Sequence, residues 1–281
     1  MPELPEVETI TRRLRDLVVG KSITDITVLR EKSWQGDIAK VTGQTITDVS
    51  RKAKIIRFHL SNKMNLLVHL KMTGQLIYVD KHTRVGGGHP TADWVNELPA
   101  KHTRVILSLS DNATLYFNDM RVFGWIRVVT DEQLSIHYKD LGPDVIDDVV
   151  TAEFLFKKLL KKSQAIKIVI MDNTVMCGLG NIYACDALHL AKIHPLRKAN
   201  SLSFKETSRL LDASKTVLNL GIELGGATMD SYRHVDGFSG RYQEKVRVYG
   251  KDGEPCQVCG AVIKKIKLGG RGTFYCEECQ R

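Results

Sequence analysis

Apolar residues recur at helical spacing at the start of the chain and then give way to alternation. Val7, Ile10, Leu14, Leu17 and Val18 mark one face of a helix that Gly20 stops, with Arg12, Arg13 and Arg15 on the outer face. From Ser22 to about Val129 the signal changes to short β-rich runs at 23–29, 44–49, 54–60, 66–70, 75–79, 104–109, 114–117 and 125–129, with turn pairs such as Ser61-Asn62 and Asp111-Asn112 between them. Many short strands at this spacing predict a sandwich or barrel. The break from Lys81 to Lys101, with Gly86-Gly87-Gly88 and two prolines, reads as a mobile surface loop. Alternation ends near Leu141-Gly142-Pro143, which reads as a linker. Beyond it Thr151 caps a helix through Phe154, Leu155, Leu159 and Leu160, with Lys157, Lys158, Lys161 and Lys162 on its flank. Further helical runs cover roughly 165–171 and start again near Asn181. Ser203 and Glu206 form the capping box of a helix ending near Gly221. No repeat is evident.

At 281 residues the chain suffices for two domains, each with its own core. No run approaches the ~18 apolar residues of a membrane helix, and the acidic N-terminus lacks the apolar stretch of a secretory signal. No membrane partner is therefore expected. A formal charge of +9 points to a polyanionic partner, and the last 41 residues concentrate it, with nine basic and five acidic side chains. Four of the six cysteines form two C-x-x-C pairs, Cys256/Cys259 and Cys276/Cys279, separated by sixteen residues. In a chain without a signal peptide this pattern reads as a metal site in a reducing compartment, not as disulfides. Two thiolate pairs on tight turns make a closed S₄ set suited to one structural zinc. The segment between them, 264–275, would form a β-hairpin whose glycine-flanked tip carries Arg271.

Two further stretches offer chemistry. Met176-Cys-Gly-Leu-Gly-Asn181-Ile-Tyr183 fails the dinucleotide pattern because Tyr183 stands at the third glycine position, and no β-α-β unit surrounds it. A glycine turn opening a helix still presents backbone N–H groups that bind phosphate. At the chain start, removal of Met1 would leave Pro2 as a secondary amine beside Glu3. With a reference pKa of about 7.7–8.0, an α-amino group is partly neutral and nucleophilic at pH 7, and a neighbouring carboxyl can shuttle its proton. Read alone, the same residues are an ordinary helix start, with Pro5 in its first turn and Glu6 and Glu8 favoured by the helix dipole.

These pieces fall in one family's order. Pro2-Glu-Leu-Pro-Glu-Val-Glu-Thr9, Arg51-Lys-Ala-Lys54, His69-Leu-Lys-Met-Thr-Gly74, Arg121-Val-Phe-Gly124, Gly178-Leu-Gly-Asn-Ile-Tyr-Ala184 and the cysteine hairpin through Arg271 resemble, end to end, the formamidopyrimidine-DNA glycosylases, the helix–two-turns–helix DNA repair enzymes that include endonuclease VIII. The resemblance implies an α+β chain: an N-terminal β-sandwich with an N-terminal helix (1–132), a helical domain with a helix–two-turns–helix motif (133–240) and a zinc finger (241–281). It implies a monomeric, cytoplasmic, nucleoid-associated enzyme that removes oxidised purines from double-stranded DNA and cuts the abasic strand. In that scheme Pro2 attacks the sugar C1′ of an everted nucleotide. Glu3 protonates the ring oxygen, and Glu6 orients the amine or a water. Lys54, His69, Asn181 and Arg271 grip phosphates. Met72, Arg121 and Phe123 fill the gap left in the duplex, Arg121 pairing with the orphan base and Phe123 wedging the stack. Oxidised pyrimidines are the alternative substrate, and a non-catalytic damaged-DNA-binding protein is the alternative class. Leu4-Pro5 and the Met72/Arg121/Phe123 set favour the purine branch; intact Pro2 and Glu3 favour an enzyme. The chain departs from the family pattern at Asp186, where glutamate is usual, and in the base-covering segment 228–243. There Ser231 follows Asp230 in place of tyrosine, and Tyr242 stands for phenylalanine. Cys177 and Cys185 read as buried thiols.

Overall fold

The computed structural model describes residues 2–89, 97–227 and 240–281. The chain divides into two compact units: residues up to Lys139 with Gly225–Arg241, and Asp140–Leu224 with Tyr242–Arg281. By contact, then, the cysteine hairpin joins the helices in one unit, and the segment beyond Gly225 returns to the first.

In the first unit, helix α1 (Leu4–Val18) precedes ten strands: β1 (Ile23–Val28), β2 (Trp34–Gln35), β3 (Ile46–Lys52), β4 (Ile55–Leu60), β5 (Asn65–His69), β6 (Gly74–Val79), β7 (Arg84–Gly88), β8 (Thr103–Leu109), β9 (Thr114–Asp119) and β10 (Trp125–Val129). They form two five-stranded sheets, ordered β1-β8-β9-β6-β7 and β2-β10-β5-β4-β3. Alternating side chains such as Val105, Leu107, Leu115 and Phe117 from one sheet meet Ile56, Phe58, Leu66 and Val68 from the other in one core. This is the expected sandwich. Helix α1 packs on β3 and β7, the outermost strand of each sheet, so it covers two edges that would otherwise present unpaired backbone. Short α2 (Asp131–Tyr138) follows β10; it buries only Leu134 and is opened by a Thr130/Gln133 capping box.

Residues 84–88 correct the expectation of a mobile loop. They form β7, paired with β6 from Gln75↔Gly88 to Val79↔Arg84. The glycines serve close approach instead of mobility. A Cβ on Gly87 would lie 2.2 Å from Ile10 Cγ1, so the bare backbone is what lets α1 seat on this edge. Residues 90–96, in the same expected loop, lie outside the described residues.

The second unit holds α3 (Ala152–Leu159), α4 (Ile166–Ile170), α5 (Asn181–Leu190) and α6 (Phe204–Glu223), then the hairpin β11 (Lys264–Leu268) and β12 (Arg271–Tyr275). The Thr151 cap and the Ser203/Glu206 capping box are both present. A hydrogen-bonded turn at Asp172–Val175 and a bend at Gly178 join α4 to α5, the place of the helix–two-turns–helix element. Helix α5 is buried from Ile182 to His189, which explains its lack of a polar face: α4, α6 and β12 all contact it.

Candidate active site and metal centre

In the first unit, sheet register gathers the expected residues at one end of the sandwich. Lys54 lies in the β3–β4 turn beside Ile55, which pairs with His69; His69 also pairs with Trp125. Met72 lies on the crossover from β5 to β6, and Arg121 and Phe123 on the crossover from β9 to β10. Because Gly74 faces Asp119 and His69 faces Trp125, the two crossovers run side by side. Met72 and Phe123 are 40% and 48% exposed, large apolar side chains held in solvent. The Arg121 guanidinium carbon sits 4.8 Å from the centroid of the Phe123 ring.

The N-terminal residues are positioned by the start of α1. Pro2 is buried, and Glu3 is the helix N-cap with 3% exposure. The Glu3 N–H donates to Glu6 Oε2 at 2.7 Å, and the Ala227 N–H donates to Glu6 Oε1 at 2.7 Å. Glu6 thus ties the helix start to the returning segment. Gly226, at φ +86°, permits this approach: a Cβ there would meet Glu6 Cγ at 2.8 Å. Met1 lies outside the described residues.

Lys54 is held through its neighbours. Arg51 donates Nε to Glu8 Oε2 at 2.7 Å and an η nitrogen to the Ala53 carbonyl at 3.1 Å, so one guanidinium fastens the turn to α1. Burial works to raise the Glu8 carboxyl, but Arg51 and Arg12 outweigh it and keep the pKa below the ordinary value. His69 is neutral. Burial first, then the charges of Lys71, Lys54 and Arg127, lower its pKa to about 3. Its Nδ1 accepts the Lys71 N–H at 3.0 Å, which places the ring proton on Nε2 as a donor.

In the second unit, Asn181 opens α5, and its side chain is engaged. Nδ2 donates to the Gly272 carbonyl at 3.0 Å, while Oδ1 accepts from Lys167 Nζ at 2.6 Å. Lys167, 1% exposed, also donates to Thr273 Oγ1 at 2.7 Å. The only signal of it in the sequence is one charge inside the apolar run Ile166–Ile170. The pair joins the α5 N-terminus to the hairpin, whose turn Gly269-Gly270 has φ of +56° and +76° and leads into exposed Arg271.

The four thiols of Cys256, Cys259, Cys276 and Cys279 lie within 4.8 Å of one another. Sulfurs about 2.3 Å from a common zinc in tetrahedral geometry stand about 3.8 Å apart, and the Cys256–Cys279 and Cys259–Cys276 separations are 3.9 and 3.4 Å. The site fits one structural zinc with all positions taken by protein. His189 Nε2 lies 3.4 Å from Cys256 Sγ, and its Nδ1 accepts from Arg247 Nε at 3.3 Å. An imidazole donating to a thiolate is a recurrent outer partner of metal sulfur.

Departures from the family pattern take a different place from the one expected. Tyr242 is not part of a cover over a base: it is 1% exposed, its ring 4.6 Å from that of Tyr183 in the second unit. Its hydroxyl donates to Asp186 Oδ2 at 3.0 Å. Fully buried Asp186 also accepts from the N–H groups of Arg247 and Val248 at 3.0 Å and of Tyr249 at 3.4 Å. Burial pushes this carboxyl up against the pull of those donors. The remainder of the expected base-covering loop, residues 228–239, lies outside the described residues.

A β-sandwich with two helix-covered edges, a helix–two-turns–helix unit and a Cys₄ hairpin suited to one zinc together define a zinc-finger protein of the α+β class. The formamidopyrimidine-DNA glycosylase N-terminal domain matches residues 1–126, the formamidopyrimidine-DNA glycosylase H2TH domain residues 141–233, and the zinc finger found in FPG and IleRS residues 253–281. Proteins named formamidopyrimidine-DNA glycosylase from Exiguobacterium sp. and Pelotomaculum thermopropionicum are 42% and 40% identical, each aligned over 100% of this chain and over 100% and 99% of their own. A Lactococcus lactis FPG variant solved with Fapy-dG containing DNA superposes with a TM-score of 0.88 at 32% identity over all of both chains. The MutM (FPG) protein of Thermus thermophilus gives 0.85 at 35%, over 99% of this chain and 98% of that one. The chain belongs to the formamidopyrimidine-DNA glycosylase family, and is a zinc-finger DNA glycosylase of base excision repair. Among the described residues, no helix is long and apolar enough to cross a membrane.

Proposed function

We propose that this enzyme removes oxidised purines, 8-oxoguanine and formamidopyrimidines, from double-stranded DNA and then cleaves the abasic strand through a covalent imine on Pro2. The reading is supported most by the start of α1: a buried Pro2 next to an almost inaccessible Glu3, with Glu6 clamped between Glu3 and Ala227. The secondary amine attacks C1′ of the everted nucleotide, the C1′–N bond breaks, and the base leaves with a proton. Glu3 protonates the ring oxygen, so the sugar opens to an iminium. That iminium acidifies C2′–H; loss of the proton expels the 3′ phosphate, and a second elimination expels the 5′ phosphate. Glu6, whose two oxygens are both occupied by backbone donors, holds the helix start and with it the amine in place.

Neutral His69 offers Nε2–H, and Lys54 a charge, to DNA phosphates; in the second unit, Arg271 and the remaining Nδ2–H of Asn181 are phosphate donors of the same kind. These contacts set register without reading sequence. Met72, Arg121 and Phe123 occupy the gap left by the flipped nucleotide. The partner is thus duplex DNA with an oxidised base or an abasic site, bound by a monomer in the cytoplasm. The test is Pro2→Gly on duplexes carrying 8-oxoguanine, formamidopyrimidine, thymine glycol or an abasic site. Excision falls by about a hundredfold or more while duplex affinity is retained. Unchanged turnover would remove Pro2 from the chemistry. Faster release of thymine glycol than of 8-oxoguanine by the parent enzyme would move the substrate to pyrimidines.

A further inference from the structure

We infer that Asp119 and Thr73 are positioning residues for damage recognition: together they fix Met72, Arg121 and Phe123 as one rigid element. The inference rests on the reading of those three side chains as the group that fills the gap in the duplex. Asp119 ends β9 with no accessible surface, and it projects beneath the crossover that carries Arg121 and Phe123. Its carboxylate accepts three backbone N–H groups of that crossover. Oδ1 takes the Arg121 N–H at 3.1 Å; Oδ2 takes the Phe123 N–H at 2.8 Å and the Gly124 N–H at 2.6 Å. Between them Val122 sits at φ +55°. A β-branched residue in the left-handed region is a true outlier and persists only where its surroundings over-determine it. The three N–H groups flanking Val122 are the ones that Asp119 holds.

The clasp extends to the neighbouring crossover. Thr73, 6% exposed and next to Met72, donates its hydroxyl to Asp119 Oδ1 and accepts the Arg121 N–H at 3.0 Å. One buried cluster therefore bonds both crossovers, and the spacing between Met72 and the Arg121/Phe123 pair is set by side-chain hydrogen bonds as well as by sheet register. Arg104 completes it, donating Nε to the Asp119 carbonyl at 2.7 Å. Three side chains that must enter a base stack together gain from being ordered before binding, because no ordering cost then falls on the complex. Asp119 touches neither base nor sugar in this account; it acts through Arg121, whose contact with the orphan base would set discrimination between opposite bases.

The test uses Asp119→Asn and Thr73→Val in the full-length protein, with Arg121→Ala as the reference. Single-turnover excision of 8-oxoguanine is measured opposite cytosine and opposite adenine, and borohydride trapping is measured on a single-stranded abasic oligonucleotide, which has no gap to fill. Asp119→Asn places an amide donor against backbone donors and is expected to lower duplex excision about tenfold. It should also move the cytosine-to-adenine ratio to the value given by Arg121→Ala, with single-strand trapping within about twofold of the parent. Thr73→Val is expected to shift the ratio the same way by about threefold; it serves equally if Asp119→Asn does not fold. A ratio that stays at the parent value in Asp119→Asn and Thr73→Val, while Arg121→Ala changes it, overturns the positioning role. A ratio unchanged in Arg121→Ala itself overturns the reading of Arg121 beneath it.

Discussion

Tyr242→Phe removes one oxygen from the interior of the second unit, and the structure sets what it should cost. The hydroxyl is one of four donors to Asp186, all at 3.0–3.4 Å, and the carboxylate has no accessible surface. A hydrogen bond to a charged group contributes about 1.5–3 kcal/mol, and the variant is spared the desolvation of its own hydroxyl, so the net loss is about 1–2 kcal/mol. The ring stays against Tyr183, so no cavity is added. Asp186→Ala is more severe: it leaves three backbone N–H groups and a buried hydroxyl without their acceptor, at about 3–5 kcal/mol. On melting, Tyr242→Phe corresponds to about 2–8 °C.

Urea unfolding of the parent, both single variants and the double variant gives the coupling directly. With Asp186 gone the bond between the Tyr242 hydroxyl and Oδ2 cannot form, so Tyr242→Phe should cost less in the Asp186→Ala background than in the parent, a coupling of about 1–2 kcal/mol. Additive losses would refute the account of the pair. The same geometry makes the aspartate and the tyrosine one exchange: a carboxylate shorter by one methylene is completed by an added hydroxyl. Asp186→Glu alone should then destabilise by overpacking, and Tyr242→Phe added to it should recover most of the loss.

Other expectations are equally specific. Arg271→Ala should reduce the slope of log affinity against log salt by about one phosphate contact, measured by fluorescence anisotropy; an unchanged slope would put the side chain off the DNA. Stripping zinc with a chelator should melt the hairpin, whose own cluster of Val248, Ile263 and Phe274 is small, and abolish tight duplex binding. A metal-free protein with the parent salt slope would contradict this. Arg197 beside Glu206 lowers that carboxyl to about pH 2. The group's folded pKa lies below its unfolded value, so its stability contribution is full above about pH 4.5 and is lost as pH falls towards 2. The melting difference between the parent and Glu206→Gln should accordingly close over that range; a constant difference would remove the ion pair as its cause.

Much of the fold was legible because burial repeats with a period. The sandwich strands and the apolar face of α1 alternate as pattern requires, and the Thr151 and Ser203 caps are local chemistry. Segments without a period were opaque. Strand β7 carries Gly86-Gly87-Gly88, so it shows no alternation to read; its reason is Ile10, more than seventy residues away. Helix α2 buries Leu134 alone. Motif order singled out Met72, Arg121, Phe123 and Arg271, and all four side chains project into solvent. Those that act from beneath, Asp119, Thr73, Lys167 and His189, look in one dimension like ordinary polar residues at element ends or in helices. Their partners are set by tertiary packing. Asp186 and Tyr242 were visible as two separate departures, and only their contact shows a single feature.

The central claim is a transient bond between the Pro2 nitrogen and deoxyribose. Borohydride reduction of the enzyme with abasic duplex, followed by proteolysis and mass measurement of the N-terminal peptide, tests it most directly. A Met1-free peptide carrying the reduced sugar on Pro2 is the expected product. An adduct on any lysine, Lys54 included, or an active enzyme that retains Met1, would contradict it.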